Sequence, residues 1–330
     1  PTWRMFTALD YHYWTQPLPT WTAWFVAQLP HGFHVLSMMF MYAVELFIPL
    51  LIFGPPSARL ISFVGMVFLQ LLIFFTGNYN FFNLLTIALG FFLLNDTQWA
   101  GILPASFLHW LGSPGAALAS SPFLGVTLIV AFFLMFVGGK QLMETVFPRA
   151  VLPSFFQKLE DAAQPFRSGS SYGLFRVMTV RRPEIIVEGS LDGKEWRPYT
   201  FRYKPGDPHR RPSFVEPHQP RLDWQMWFAA LGGVRQEYWF QQFLVRLLEG
   251  SPPVLRLLGP HPFPDQPPRF VRALLYEYRF TDLRRENFWD ALRATALRSD
   301  FPWWKRTLIG PFAPVLSLRE GSGSVYTPSP

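Results

Sequence analysis

Cysteine is absent from the 330 residues, so the chain can build no disulfide framework, thiol nucleophile or cysteine-ligated zinc site. Charge is scarce too, and unevenly so. Up to about Gly139 the sequence is apolar and nearly free of Asp, Glu, Lys and Arg; almost all such residues lie beyond it. That asymmetry reads as a membrane part followed by a water-facing part. Catalytic signatures are missing as well: no GxSxG elbow, P-loop, GxGxxG, HExxH or paired-carboxylate pattern occurs. No cofactor and no metal are therefore expected. The Arg pairs at 181–182, 210–211 and 284–285 are scattered and carry no aromatic-interleaved motif. Despite a net charge of +7, they read as solvated surface with some affinity for anionic lipid, and no nucleic-acid partner is expected.

What the chain has in excess is aromatic side chains, 35 Phe and 13 Trp among them. Residues 1–32 hold Trp3, Trp14, Trp21 and Trp24 among prolines, and are predicted to lie along a membrane surface. Thr20 caps a short helix there, running to Leu29. Four transmembrane helices are predicted at about 33–53, 60–75, 79–94 and 118–138, the second and third joined by a tight turn around Gly77. Residues 141–171 read as a polar linker. From 172 to 316, "YGLFRVMTV", "PEIIVEGSLDGKEWRPYTFRY" and "RFVRALLYEYRFTD" alternate as strands, with a hairpin turn at "LDGKEW". "RLDWQMWFAALGG" and "YWFQQFLVRLLEG" predict helices at about 223–250, each stopped by glycine. The fold class is a membrane α-helical bundle followed by a mostly β, sandwich-like (jelly-roll-like) domain with a helical insertion. Residues 317–330 read as a disordered tail. The chain opens on Pro1 without a leader pattern, which reads as a piece of a longer sequence.

The polar residues inside apolar runs are the candidate sites. "TGNYNFFNLLTIALGFFLLND" begins with Asn78, Asn80 and Asn83, although amides are costly in hydrocarbon unless bonded. Asn78 and Asn80 are predicted to cap helix ends at headgroup depth. Asn83, one turn deeper, is predicted to bond across helices, with Gln70 and Glu45 as further polar contacts of the bundle. Glu45 is the only charge of the first span, so it is the leading intramembrane candidate. His34 lies on its stripe but roughly 16 Å away along the axis, too far to share an ion. His12, between Tyr11 and Tyr13, could serve acid–base chemistry, though such clusters more often order an interfacial loop. In the soluble part, Trp224, Trp227 and Phe228 share a helix and Trp303–Trp304 precede a basic pair. They read as core, or as the aromatic face of a partner-binding surface.

Five stretches together resemble the lipase maturation factor family: "LDYHYWTQPLPTW", "TGNYNFFNLLTIAL", "PEIIVEGSLDGKEWRPYTFRYKPGDP", "PHQPRLDWQMWFAAL" and "YEYRFT". The resemblance runs over nearly the whole chain in the family's order. It implies a multi-pass protein of the endoplasmic reticulum membrane with a lumenal C-terminal domain. That domain would help newly made, dimerising lipases reach an active fold. Its partners would be client proteins, lipases by this resemblance, and the lipid bilayer, with Trp224, Trp227, Phe228, Trp303 and Trp304 as client-binding candidates. Arg4, Lys140 and Arg149 against Arg59 instead place the C-terminal part in the cytoplasm by the positive-inside rule. Zero cysteine with high Arg and Pro usage suggests a bacterial relative, which would sit in the inner membrane with the domain in the periplasm. "EIIVEGSLDGKEWRPY" is similar to a strand pair of discoidin-type jelly rolls. In architecture alone the chain is similar to the vitamin K-dependent carboxylase group. That supplies an enzyme alternative in which Glu45, His12 or His34 acts as acid or base. The spans carry no Lys, and fold-level analogy does not carry function, so the non-enzymatic reading leads.

Overall fold

The computed structural model describes residues 1–111, 123–147, 153–166, 173, 175–232, 238–283, 289–290, 292–293, 300–318 and 325–326. They divide into two compact units, Pro1–Asn95 with Met178–Pro330, and Asp96–Val177.

The first unit begins with α1 (Ala8–Thr15) and α2 (Trp21–Ala27), the latter capped by Thr20, whose Oγ1 accepts the Ala23 N–H at 3.2 Å. Next comes α3 (His31–Tyr42), which continues through a π turn, Ala43–Phe47, and a 3-10 stretch, Ile48–Phe53. Pro49 explains the change of pitch: it has no N–H to give, and its ring would clash with the Glu45 carbonyl of a regular helix. Then follows α4 (Pro56–Thr76). His31–Phe53 and Pro56–Thr76 are both long and apolar enough to cross a membrane. The segment predicted as a third span, 79–94, is shorter: α5 (Phe82–Gly90) with a 3-10 turn, Phe91–Leu93. Phe82–Leu93 rises roughly 18 Å against a hydrocarbon core of about 30 Å. Its start is delayed because Asn80 takes a left-handed conformation, φ 64°, which no helix continues through.

The second unit holds α6 (Asp96–Ile102), α7 (Ala105–Leu111), α8 (Phe123–Val146) and α9 (Ser154–Ala163). Leu124–Val146 is the third span-length apolar helix among the described residues. It lies further along than the predicted 118–138, whose residues 118–122 fall outside the described ones. Gly138, Gly139 and Lys140 do not end it. The buried Lys140 is neutralised by Glu144 one turn on, at 2.9 Å, and by Glu160 of α9. Part of the predicted linker 141–171 is thus helical.

Where the chain passes from the second unit back to the first, "YGLFRVMTV" forms no strand where it is described. Phe175 has φ 63°, and the chain runs irregularly to Arg182. The sheet comprises β1 (Pro183–Ser190) and β2 (Arg197–Pro198), then, after α10 (Arg221–Leu231), α11 (Tyr238–Leu248) and α12 (Pro252–Leu255), β3 (Phe270–Phe280), β4 (Trp304–Leu318) and β5 (Val325–Tyr326). The order is β2-β1-β3-β4-β5, all neighbours antiparallel. Residues 317–318 and 325–326 of the predicted tail pair as strands; 319–324 and 327–330 lie outside the described residues. At the β1–β2 turn, Asp192 Oδ1 accepts the N–H groups of Lys194 and Glu195 at 2.8 and 2.9 Å, with Gly193 at φ 77°.

Period two gives the sheet two apolar faces. Ile185, Val187, Val271 and Ala273 pack on Met226, Phe240 and Leu244 of α10 and α11. On the opposite face, Ile186, Tyr278, Trp303 and Trp304 pack on Tyr13, Ala23 and Trp24 of α1 and α2. The antiparallel sheet therefore lies between two helical layers, and one of them is the N-terminal segment. Of the tryptophans read as interfacial in residues 1–32, Trp24 faces the sheet instead. Trp24 is fully buried, edge-on to Trp303 and Phe301 at 5.4 Å each, and its indole N–H donates to Thr281 at 3.2 Å. An amphipathic ring suits a membrane interface and a hydrogen-bonded core pocket equally well, so composition alone did not separate the two.

Candidate functional site

The polar residues of the first unit converge on the turn between α4 and α5. The C-terminal carbonyls of α4 are taken up by the N-terminal segment. Gln16 Nε2 donates to Thr76 O at 2.7 Å, and the Thr22 hydroxyl donates to Phe75 O. Pro19 bridges Gly77, where a Cβ would overlap Gln16 and the Tyr79 ring. Asn78 then uses both ends of its amide. Nδ2 donates to the carbonyls of Leu18 (3.0 Å) and Ser213 (2.8 Å), and Oδ1 accepts the Val215 N–H (2.8 Å). It is not a helix cap but a clamp between the turn, the N-terminal segment and the sheet domain. Asn80 is buried, and neither amide atom has a hydrogen-bond partner among the described residues. Asn83 donates to the Gln70 carbonyl at 3.2 Å, joining α5 to α4.

Tyr79 is the centre of the seam. Its N–H donates to the Glu216 carboxylate and its hydroxyl donates to Gln16 Oε1 at 2.7 Å. The hydroxyl proton being used, the contact of Tyr79 Oη with His12 Nε2 at 3.2 Å is donated by the imidazole. His12 thus carries a proton on Nε2, as the neutral ring in that tautomer does. Burial supports this, pushing its pKa down to about 4, and pushes the Glu216 carboxyl up to about 7.

Beside the seam lies a buried charge cluster that sequence reading missed. Arg182 donates to the carbonyls of Trp14 (2.9 Å), Gln16 and Pro17 (2.8 Å), and pairs with Glu184 at 2.8 Å. Lys204 meets the other Glu184 oxygen at 2.9 Å and donates to the Ile185 and Pro205 carbonyls. Burial lowers the Arg182 pKa, with Glu184 opposing that effect. Asp223, also buried, accepts the N–H groups of Tyr203 and Lys204 at 2.9 and 2.8 Å. The available signal was Glu184: on strand parity it shares a face with buried Ile186, and a carboxylate there requires a partner.

The remaining predicted residues are dispersed. Glu45 is exposed on the π turn, with no hydrogen bond among the described residues to His12, His34, Gln70 or Asn83. His34 is buried, Nδ1 on Asp10 at 2.7 Å and Nε2 on the Val26 carbonyl at 3.0 Å; His31 reaches the same Asp10 at 2.9 Å. These contacts pin α3 to α1 and α2. Trp224, Trp227, Trp303 and Trp304 are buried, and Trp227 Nε1 donates to Thr15 O at 2.9 Å. These four indoles are therefore closed to a client in this structure, Trp303 and Trp304 packing between the sheet and α1–α2. Of the client-binding candidates only Phe228 is exposed. A separate open cleft of about 620 Å³ is lined by Arg202, Leu255, Arg256 and His261, with Arg202 tied to the carbonyls of Leu258 and Arg256.

Comparison with known proteins matches both halves of this seam. The lipase maturation factor transmembrane domain matches residues 1–101, and the lipase maturation factor C-terminal domain matches residues 169–314. Lipase maturation factor 2 of Homo sapiens is 32% identical, over 97% of this chain and 57% of that protein. The Gallus gallus protein of that name is 33% identical, with the same shares. Lipase maturation factor 1 of Bos taurus is 29% identical, over 97% of this chain and 58% of its own. The chain thus spans a little over half the length of these curated relatives. No solved structure matches it. The transmembrane-domain match and the three apolar helices make it a membrane protein. With both domains of one family matched in order along the sequence, the chain belongs to the lipase maturation factor family.

Proposed function

We propose that this chain is a membrane-anchored maturation factor that assists the folding or assembly of secreted lipases, holding an unfinished client without catalysing a reaction on it. The membrane in question is that of the endoplasmic reticulum, with the sheet domain in its lumen. The observation that supports this reading is the match to both family domains, in order along the chain, with curated relatives named for lipase maturation. The seam supports it: Asn78 ties the sheet domain to the α4–α5 turn and Arg182 ties it to the N-terminal segment, as suits a factor acting beside a membrane. Nothing joins Glu45 and the two histidines into a reacting centre among the described residues, so the carboxylase-like alternative gains no support.

The test is genetic. Deleting the gene should lower the activity of a co-expressed dimeric lipase while leaving its synthesis unchanged, and both the parent and Glu45→Gln should restore it. Full lipase activity without the gene would refute the proposal. Loss with Glu45→Gln, in protein that still accumulates, would move the function to chemistry in the spans.

A further inference from the structure

We propose that the sheet domain rests on the bilayer itself, through an aromatic rim set around the α4–α5 turn and formed by Trp21, Phe214, Phe228 and Leu231. The level of the membrane surface is given by the spans. α3 starts at His31 and α4 ends at Thr76, and both ends are bonded to the N-terminal segment, through Asp10 with His34 and Gln16 with Thr76. The turn at Gly77–Phe81 therefore lies where two spans leave the hydrocarbon.

Phe214 is held at that level by its neighbours. Asn78 bonds the carbonyl before it, at Ser213, and the N–H after it, at Val215. The backbone on either side is pinned to the turn, and the ring stays 40% exposed, edge-on to Trp21 at 5.8 Å. Phe228 is placed by α10. Trp224 meets the Tyr79 ring at 6.3 Å, and Phe228, one helical turn on, is 42% exposed. Leu231 continues the same exposed stripe. The rim is continuous with the spans' own apolar surface, since Phe75, Phe81 and Phe82 at the turn are exposed as well.

Large apolar side chains exposed in a water-facing domain call for a partner. Here the partner is fixed by continuity. Aromatic rings at headgroup depth bury their apolar bodies against lipid, as interfacial belts do. A client protein seated on the same rim would have to displace that lipid. Leu308 and Ile309 are exposed as well, but they sit on β4 and not on the segments bonded to the turn, so they serve as the control.

The chain has no cysteine, so each introduced one is a unique labelling site. Phe214→Cys, Phe228→Cys, Leu231→Cys and Leu308→Cys would be made in the full chain, labelled with an environment-sensitive fluorophore and reconstituted in phosphatidylcholine vesicles. Brominated-chain lipid should quench the labels at 214, 228 and 231 about twofold, by contact at the headgroup–acyl boundary. The label at 308 should answer only to aqueous iodide. Rim labels that behave like the one at 308 would overturn the proposal. Rim labels shielded only when an unfolded lipase is added would also overturn it, assigning the face to a client. Leu231 has no ring partner, so its variant keeps the test open should either phenylalanine variant fail to fold.

Discussion

Arg182 aims its guanidinium at three carbonyls of one short stretch, Trp14 to Pro17, while Glu184 holds it from the other side. Truncation would leave those carbonyls without their donor and Glu184 with Lys204 alone. Arg182→Met should therefore cost about 3–5 kcal/mol, and Arg182→Lys should recover little, because an ammonium cannot fork across three acceptors. Thermal unfolding of the purified protein, followed by tryptophan emission, checks this; a parental midpoint for Arg182→Met would refute it. His12 sets a pH dependence. Its pKa falls from 6.5 to about 4 through burial, so the folded form prefers the neutral ring. The sign follows: this stability is fully present above 6.5 and is lost as pH falls towards 4, by at most about 3 kcal/mol. The half-buried Glu216 works the other way. Its carboxyl is raised from 4.5 to about 7 by burial, so its contribution is full below 4.5 and is lost as pH rises towards 7. His12→Gln should flatten the loss of stability between pH 6.5 and 4; an unchanged acid limb would show that His12 is not its source. The inward charge at Glu184 was legible from strand parity, but its pairing with Lys204 and the docking of its neighbour Arg182 on the Trp14 carbonyl were not, since both join residues far apart in sequence.

The α4–α5 turn shows how far an element can be read from pattern alone. Three asparagines beside Gly77 mark a break in an apolar run, and the break is there. Two things escaped the pattern. The left-handed Asn80 shortens the following helix, and the partner of Asn78 lies on a loop more than a hundred residues away. Hydrophobic periodicity carries no information about such a pairing. Asn78→Ala would leave the Leu18 and Ser213 carbonyls and the Val215 N–H without their side-chain partner, and so loosen the loop at 213–216. Local opening should then bring trypsin to Arg210–Arg211 about tenfold faster, while cleavage elsewhere keeps its rate. Equal rates at that bond would mean the clamp does not hold the loop. The same element explains why Gly77 resists substitution. A methyl there would overlap Gln16 and Tyr79, both already bonded to each other. Gly77→Ala should thus destabilise by about 1–3 kcal/mol, through crowding and not backbone strain.

Across the first unit, one core is assembled from sequence ends that no local rule connects. Trp24 and Trp303 meet edge-on, and Thr281 accepts the Trp24 indole N–H. The alternating strands, the two helices near 223–250 and the helical first part were all legible, because period and length are local properties. What covers the second face of the sheet was not, because a Trp-rich segment reads as interfacial whether it meets lipid or another indole. The consequence is a claim about domain autonomy. The C-terminal match, residues 169–314, includes β1 to β3 and most of β4 but not α1 and α2. Expressed without residues 1–95, it would expose Ile186, Tyr278, Trp303 and Trp304, and would leave Arg182 and Glu184 open to water on one side. Several large aromatic side chains at about 25 cal/mol per Å² are a substantial part of the stability of a domain this size. Residues 169–330 alone should therefore aggregate or bind hydrophobic dyes, and co-expression with residues 1–95 in membranes should restore a protease-resistant sheet domain. A soluble, monomeric 169–330 fragment with the tryptophan emission of the full chain would show that the N-terminal layer is dispensable, and that the matched domain folds on its own.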